Sequence, residues 1–143
     1  MLGLKWDKQQ DTLAVVIPKE ETQPTKRGHL GKMAKIYDPL GLIAPLMLTA
    51  KQIYCELCET NVQWDAKING ELLRCWKKWE EQLPCEQQVP RSIARYQEAI
   101  QGVELHSFAD TSERGVKAAV YAVVRQPSGN TQRLLVAKSQ LVK

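Results

Sequence analysis

Long apolar runs are missing from this 143-residue chain. Nothing approaches the roughly 18 to 20 consecutive apolar residues of a membrane-spanning helix, so no span is expected. The N-terminus, MLGLKWDKQQ, has no apolar core behind a basic start, which argues against a secretory signal. The default compartment is then cytosol or nucleus. Internal repeats and low-complexity tracts are also absent. Histidine is scarce: His29 and His106 each lack a patterned partner, and both read as structural or exposed. Four cysteines occur, but without a signal a disulfide framework is not expected. Cys55 and Cys58 have C-x-x-C spacing, yet they fall inside an apolar helical pattern rather than on a knuckle turn. Cys75 and Cys85 do not form a second such pair, and zinc needs four converging ligands. All four are read as packed or half-exposed thiols.

What is present suffices for a core. Hydrophobic residues make up 43% of the chain, enough for one domain or two small ones. The net charge of +4 is uneven. Residues 25–52 hold five basic residues against a single acid, and residues 103–143 hold six against three. These two blocks are the candidate phosphate-facing surfaces, although solvated lysines are commonplace on any protein.

Hydrophobic periodicity divides the chain into three parts, 1–24, 25–98 and 99–143. Leu2–Asp7 and Thr12–Ile17 read as a β-hairpin that ends at Pro18. Thr25 is a candidate N-cap for a helix carrying Leu30, Met33, Ala34 and Tyr37 at helical spacing. Asp38-Pro39-Leu40-Gly41 breaks that helix, and Pro45 suits the first turn of the next. Leu46, Ala50, Ile53 and Leu57 form its stripe, reaching about Thr60. Asn69 is a candidate cap for a third helix, Gly70–Leu83, in which Leu72, Trp76, Trp79 and Leu83 share one face. Its tryptophans could stack on bases, but beside two leucines they read as core. Cys85–Gly102 is weakly patterned, with Arg91–Tyr96 a short strand or an extended linker. Three β-patterned runs follow, Val103–Phe108, Lys117–Arg125 and Arg133–Lys138, with a turn at Gln126–Asn130. The fold class is α+β: an N-terminal hairpin, a helical middle and a three-stranded antiparallel meander whose third strand ends with an unpaired edge.

Asp110 closes the first of those runs, in ELHSFADTSERGVKAAVYAVV. A carboxylate at the mouth of a meander's first strand is where a metal-dependent nuclease places a ligand. Its bland reading is an Asx-turn capping the amides of Ser112 or Glu113. His106 shares its strand face but lies about 13 Å away, too far for a catalytic pair.

Five strings together resemble one family: LGLKWD (2–7), TKRGHLGKMAKIYDPLGLIAP (25–45), ELLRCWKKWEEQLP (71–84), ELHSFADTSERGVKAAVYAVV (104–124) and LLVAKSQLVK (134–143). They are similar to the polyprotein of BEL/Pao-type LTR retrotransposons, a region often labelled Pao retrotransposon peptidase. The similarity runs from the end of the reverse transcriptase, through thumb and connection, into the start of the ribonuclease H domain. It implies that the hairpin follows the polymerase palm and that the helices over 25–60 are thumb-like. Lys26, Arg27, Lys32 and Lys35 would then contact the phosphates of template–primer or RNA–DNA hybrid. The meander would be a partial ribonuclease H-like sheet, with Asp110 as the catalytic, metal-binding aspartate and Ser112 at the family's Asp-x-Ser spacing.

The implied chemistry uses two divalent cations about 3.5–4 Å apart. One aspartate cannot hold two magnesium ions, which want octahedral oxygen ligands. The family draws its other carboxylates from segments after the third strand, and the sequence ends at Lys143. A polymerase also needs a paired aspartate turn, and no Asp-Asp occurs here. The expectation is therefore a polyprotein fragment that grips nucleic acid and depends on the remainder of the polyprotein. Magnesium would serve the complete enzyme but bind this chain alone poorly, leaving it inactive. Two alternatives stand beside it. One is an aspartic peptidase using Asp110-Thr111-Ser112, where serine replaces the usual glycine and a second aspartate must come from elsewhere. The other is a non-enzymatic remnant that binds nucleic acid or protein.

Overall fold

A computed structural model describes residues 3–142. Leu2, where the expected hairpin begins, and Lys143, where the family string ends, lie outside the described residues. The architecture is α+β, with two three-stranded antiparallel sheets and three helices.

The first sheet contains the expected hairpin, β1 (Lys5–Asp7) and β2 (Thr12–Val16). Its third strand, β3 (Glu86–Pro90), pairs with β2 from Thr12↔Pro90 to Val16↔Glu86. This corrects the reading of the weakly patterned segment. The strand precedes Arg91, and Arg91–Tyr96 is turn and bend. Pro90 explains the offset: a strand can end on proline, whose missing N–H cannot extend a ladder. Asp11 holds the join. It adopts φ 51°, its carboxylate accepts from Trp6 Nε1 at 3.1 Å and Arg91 Nε at 2.6 Å, and Tyr96 OH donates to its other oxygen. The Arg91 guanidinium and then the Tyr96 hydroxyl hold that carboxyl down to about 2, well below its ordinary range.

Helix α1 (Lys26–Lys35) starts where expected, with Thr25 Oγ1 accepting from the Gly28 amide at 3.0 Å. Its apolar stripe, however, is not its buried face. Leu30 is 42% exposed, whereas Lys26, His29 and Lys32 are buried. The lysine stems pack as hydrocarbon, and their ammonium groups reach main-chain carbonyls at the rim. Helix α2 (Ala44–Glu59) follows its sequence pattern closely, with Ala50, Ile53 and Leu57 buried and Thr60 as C-cap. Helix α3 (Gly70–Gln82) lacks the expected cap: Asn69 makes no side-chain cap bond. Its Trp76 and Trp79 are both 1% exposed and form the centre of the core with Val15, Ile17, Ile36, Ile43, Ala50 and Ile53. Trp79 Nε1 donates to the Leu46 carbonyl at 2.7 Å, satisfying its one polar atom. These rings are therefore not available to stack on bases.

The second sheet is β4 (Gly102–Thr111), β5 (Gly115–Gln126) and β6 (Gly129–Leu141), in that order. Gly129, at φ 119°, makes the β5–β6 turn in a conformation suited to glycine. A bulge interrupts the β5–β6 register at Val120/Tyr121. As expected, β6 is an edge strand with no further strand beside it, and the chain before α2 meets that edge at one point, where the Ala137 amide donates to Leu40 O at 2.8 Å. The less covered strand is β4, every residue of which is exposed or half-exposed.

That β6 contact explains the string IYDPLGLIAP. The Asp38 carboxylate accepts from the Leu42 and Ile43 amides at 2.8 and 2.9 Å, closing a corner in front of α2. Gly41 sits at φ +75°, and a Cβ added to it would lie 1.9 Å from Ala137 O. Ser139 Oγ donates to Ala44 O at 2.8 Å, and Lys51 Nζ donates to Ser139 O at 3.1 Å. The corner thus ties α2 to the second sheet while Pro45 starts the helix. Asp38→Ala leaves two amides without acceptors and is expected to cost about 1–2 kcal/mol in urea denaturation.

His29 is 1% exposed and stacks on Trp76, with ring centroids 3.8 Å apart and planes 7° from parallel. Neither ring nitrogen has a partner among the described residues. Burial alone pushes its pKa from the usual 6.5 down to about 4. The unfolded chain therefore takes up this proton first. The neutral ring's contribution is complete above about pH 6.5 and is lost as pH falls through about 4, a change of about 3 kcal/mol. Urea melts across that window should show the decline, and His29→Phe should flatten it.

Candidate functional site

The two faces of the second sheet differ in chemistry. Register pairs place Glu104, His106, Phe108 and Asp110 of β4 on one face, beside Lys117, Ala119, Tyr121 and Arg125 of β5. Phe108 and Tyr121 meet edge-on, 5.9 Å between centroids. Glu104 lies between Arg125 and His106 on this face, accepting from Arg125 Nη2 and lying 3.3 Å from His106 Nε2. This Glu104–His106–Arg125 cluster was missed by sequence reasoning. The signal was present as a two-residue spacing along β4, but Arg125 joins only through the cross-strand register.

Asp110 is exposed on the same face, one residue before β4 ends at Thr111. It lies in the ladder rather than in an Asx-turn: Ser112 N donates to Gly115 O at 2.9 Å, so that turn closes without it. A cavity of about 390 Å³ adjoins it, walled by Phe108, Lys117 and Ala119 of the sheet and by Ala44 and Pro45 of α2. The corner at Asp38–Gly41 therefore positions one wall of the site. Directly across the ladder from Asp110 stands Lys117.

A pair of divalent cations does not fit the residues present. No three His, Cys, Asp or Glu side chains converge among the described residues. Asp110 offers one carboxylate beside a cation, where two magnesium ions need several shared oxygens. Cys55 and Cys58 are exposed on the last turns of α2, and neither Cys75 nor Cys85 joins them in a group that could hold a metal.

The four basic residues of α1 divide into two kinds. Lys26 Nζ donates to Thr60 O at 2.8 Å, capping the C-terminal end of α2. Lys32 Nζ donates to Pro18 O and to Glu20 O. Both side chains point inward and tie the helix to its surroundings. Arg27 and Lys35 remain at the surface. Arg27 pairs with Asp65 at 2.7 Å and lies over Trp64, and Lys35 pairs with Glu20. The Asp65 carboxylate beside Arg27 raises its pKa further above its ordinary value. Sequence spacing does not separate the two kinds, because the side on which α1 is covered depends on distant partners: Thr60 at the end of α2, Trp76 of α3 and the segment Pro18–Glu20.

The family model described as Pao retrotransposon-like RNaseH-like domain matches residues 25–143. The chain belongs to this Pao retrotransposon family. No curated protein and no solved structure matches it. The match takes in both the helical middle and the second sheet of this Pao-type RNase H-like chain, the parts that the Asp38–Ala44 corner joins. No helix among the described residues is long and apolar enough to cross a membrane.

Lys32→Met should remove the donor that two carbonyls share and lower stability by about 1–2 kcal/mol. Arg27→Ala, at an exposed ion pair, should leave the thermal midpoint nearly unchanged. Parallel melts of the two variants check this contrast.

Proposed function

We propose that this chain is a polymerase-polyprotein segment that grips template–primer or RNA–DNA hybrid through phosphate contacts. It contributes Asp110 as the first carboxylate of a magnesium centre that other acidic residues complete. The placement of Asp110 carries this reading. It lies near the end of β4, exposed, beside a cavity and on the charged face of an RNase H-like sheet. The donor set supports the second half of the proposal, since one carboxylate facing Lys117 cannot seat two divalent cations. The 143-residue chain by itself is accordingly inactive on hybrid.

The grip is electrostatic and modest. Arg27 and Lys35 are its basic contacts on α1, each releasing a carboxylate partner when it meets phosphate, while Lys26 and Lys32 serve by holding the helix in place. Lys117 adds a cation beside Asp110. Such contacts bind without reading sequence and weaken as salt rises.

Two assays test the proposal. Incubating labelled RNA–DNA hybrid with the purified chain and magnesium should give no cleavage. Robust cleavage abolished by Asp110→Asn would overturn the incomplete centre. Titration of the hybrid at two salt concentrations should show micromolar or weaker binding that declines with salt, with Arg27→Ala plus Lys35→Ala weakening it further. Tight binding indifferent to salt would contradict the grip.

A further inference from the structure

The groove between α1 and α2 is apolar but rich in sulfur. A cavity of about 580 Å³ lies there, and it shares no residue with the cavity beside Asp110. Helix α1 lines it with Leu30 and Met33, and α2 lines it with Met47, Cys55 and Cys58. The polar groups on its walls, besides the two thiols, belong to Lys51 and Tyr54.

Cys55 and Cys58 are free and exposed. They stand three residues apart within α2 and therefore on one side of it. At that spacing the Cβ atoms lie about 5–6 Å apart. A disulfide needs about 3.5–4.5 Å, so the helix keeps this pair from closing on itself. A single atom between the two sulfurs fits the gap, because two metal–thiolate bonds of about 2.3 Å span up to about 4.6 Å.

The donor set selects the metal. Magnesium and calcium want oxygen ligands, and no carboxylate lines this cavity among the described residues. Zinc completes a tetrahedron of four ligands, and no third His, Cys, Asp or Glu joins the thiols among the described residues. Cu(I) is soft, prefers sulfur and is satisfied by two thiolates. Each thiol gives up its proton on binding, so a monovalent cation held by two thiolates carries one net negative charge. Lys51 on the cavity wall supplies the opposite charge. Burial, and then the Cys58 thiol beside it, raise the Tyr54 pKa above its ordinary value. That hydroxyl keeps its proton and can donate to the Cys58 thiolate.

We propose that Cys55 and Cys58 form a Cu(I) site, with one ion per chain held between their two thiolates at the mouth of the α1–α2 groove. The inference rests on α2 and its groove alone, and it holds whether or not the chain contacts nucleic acid.

Anaerobic titration of the reduced full chain with Cu(I), in competition with a chromogenic Cu(I) chelator, tests it. The chain should withdraw one ion from the chelator and develop a thiolate-to-copper charge-transfer band in the ultraviolet. Cys55→Ser and Cys58→Ser should each weaken binding by more than about 100-fold, since losing a ligand costs more than the roughly 10–100-fold of disturbing an outer contact. Cys75→Ser plus Cys85→Ser should change neither affinity nor band. Zn(II) added beforehand should be displaced by Cu(I). Circular dichroism melts confirm that the serine variants remain folded. Copper retained by a folded chain carrying both Cys55→Ser and Cys58→Ser, or copper lost on Cys75→Ser plus Cys85→Ser, would overturn the proposal. So would zinc that resists displacement or failure to compete with the chelator. A copper-linked dimer in sedimentation would also overturn it, since the thiolates would then come from two chains.

Discussion

A single tight contact governs the arrangement: the backbone of Leu40–Gly41 against the backbone of β6 at Ala137. The two main chains approach so closely that no side chain fits at position 41, and the positive φ there independently favours glycine. Asp38 shapes the approach by accepting two amides, and Ser139 and Lys51 secure the helix that follows. Together these contacts hold α2 on the second sheet, where Ala44 and Pro45 form one wall of the cavity beside Asp110.

The core on the other side of α2 is organised differently. Trp76 and Trp79 fill it, and His29 lies flat on Trp76 as a third aromatic ring whose nitrogens have no hydrogen-bond partner among the described residues. An imidazole used in this way is a hydrophobic plate at neutral pH and becomes a liability in acid. The same helix buries two lysines whose charges reach carbonyls rather than solvent. Two of the four basic residues on α1, Lys26 and Lys32, thus do a structural job.

Periodicity revealed most of the elements, because α2, α3 and the meander each follow one period over ten or more residues. It failed where the deciding partner is distant in sequence. Strand β3 is short and polar, and only its pairing with β2 makes it a strand. The buried side of α1 runs through Lys26, His29 and Lys32 because the end of α2, Trp76 of α3 and the segment Pro18–Glu20 meet it there, while Leu30 stays 42% exposed. The open edge falls on the third strand as expected, but the single bond by which Leu40 meets it at Ala137 comes from a turn whose role is invisible without the fold. At the site, Asp110 was identifiable from a strand-end carboxylate in a familiar string. Its neighbour Lys117 and the Glu104–His106–Arg125 cluster required the cross-strand register.

Hydrogen exchange at the Ala137 amide in Gly41→Ala tests the central contact most directly. The methyl group cannot coexist with Ala137 O, so protection at Ala137 and along the outer edge of β6 should collapse, while Val15 in the first sheet stays protected. Unchanged protection at Ala137, with an unchanged melting temperature, would show that the corner does not join these two parts.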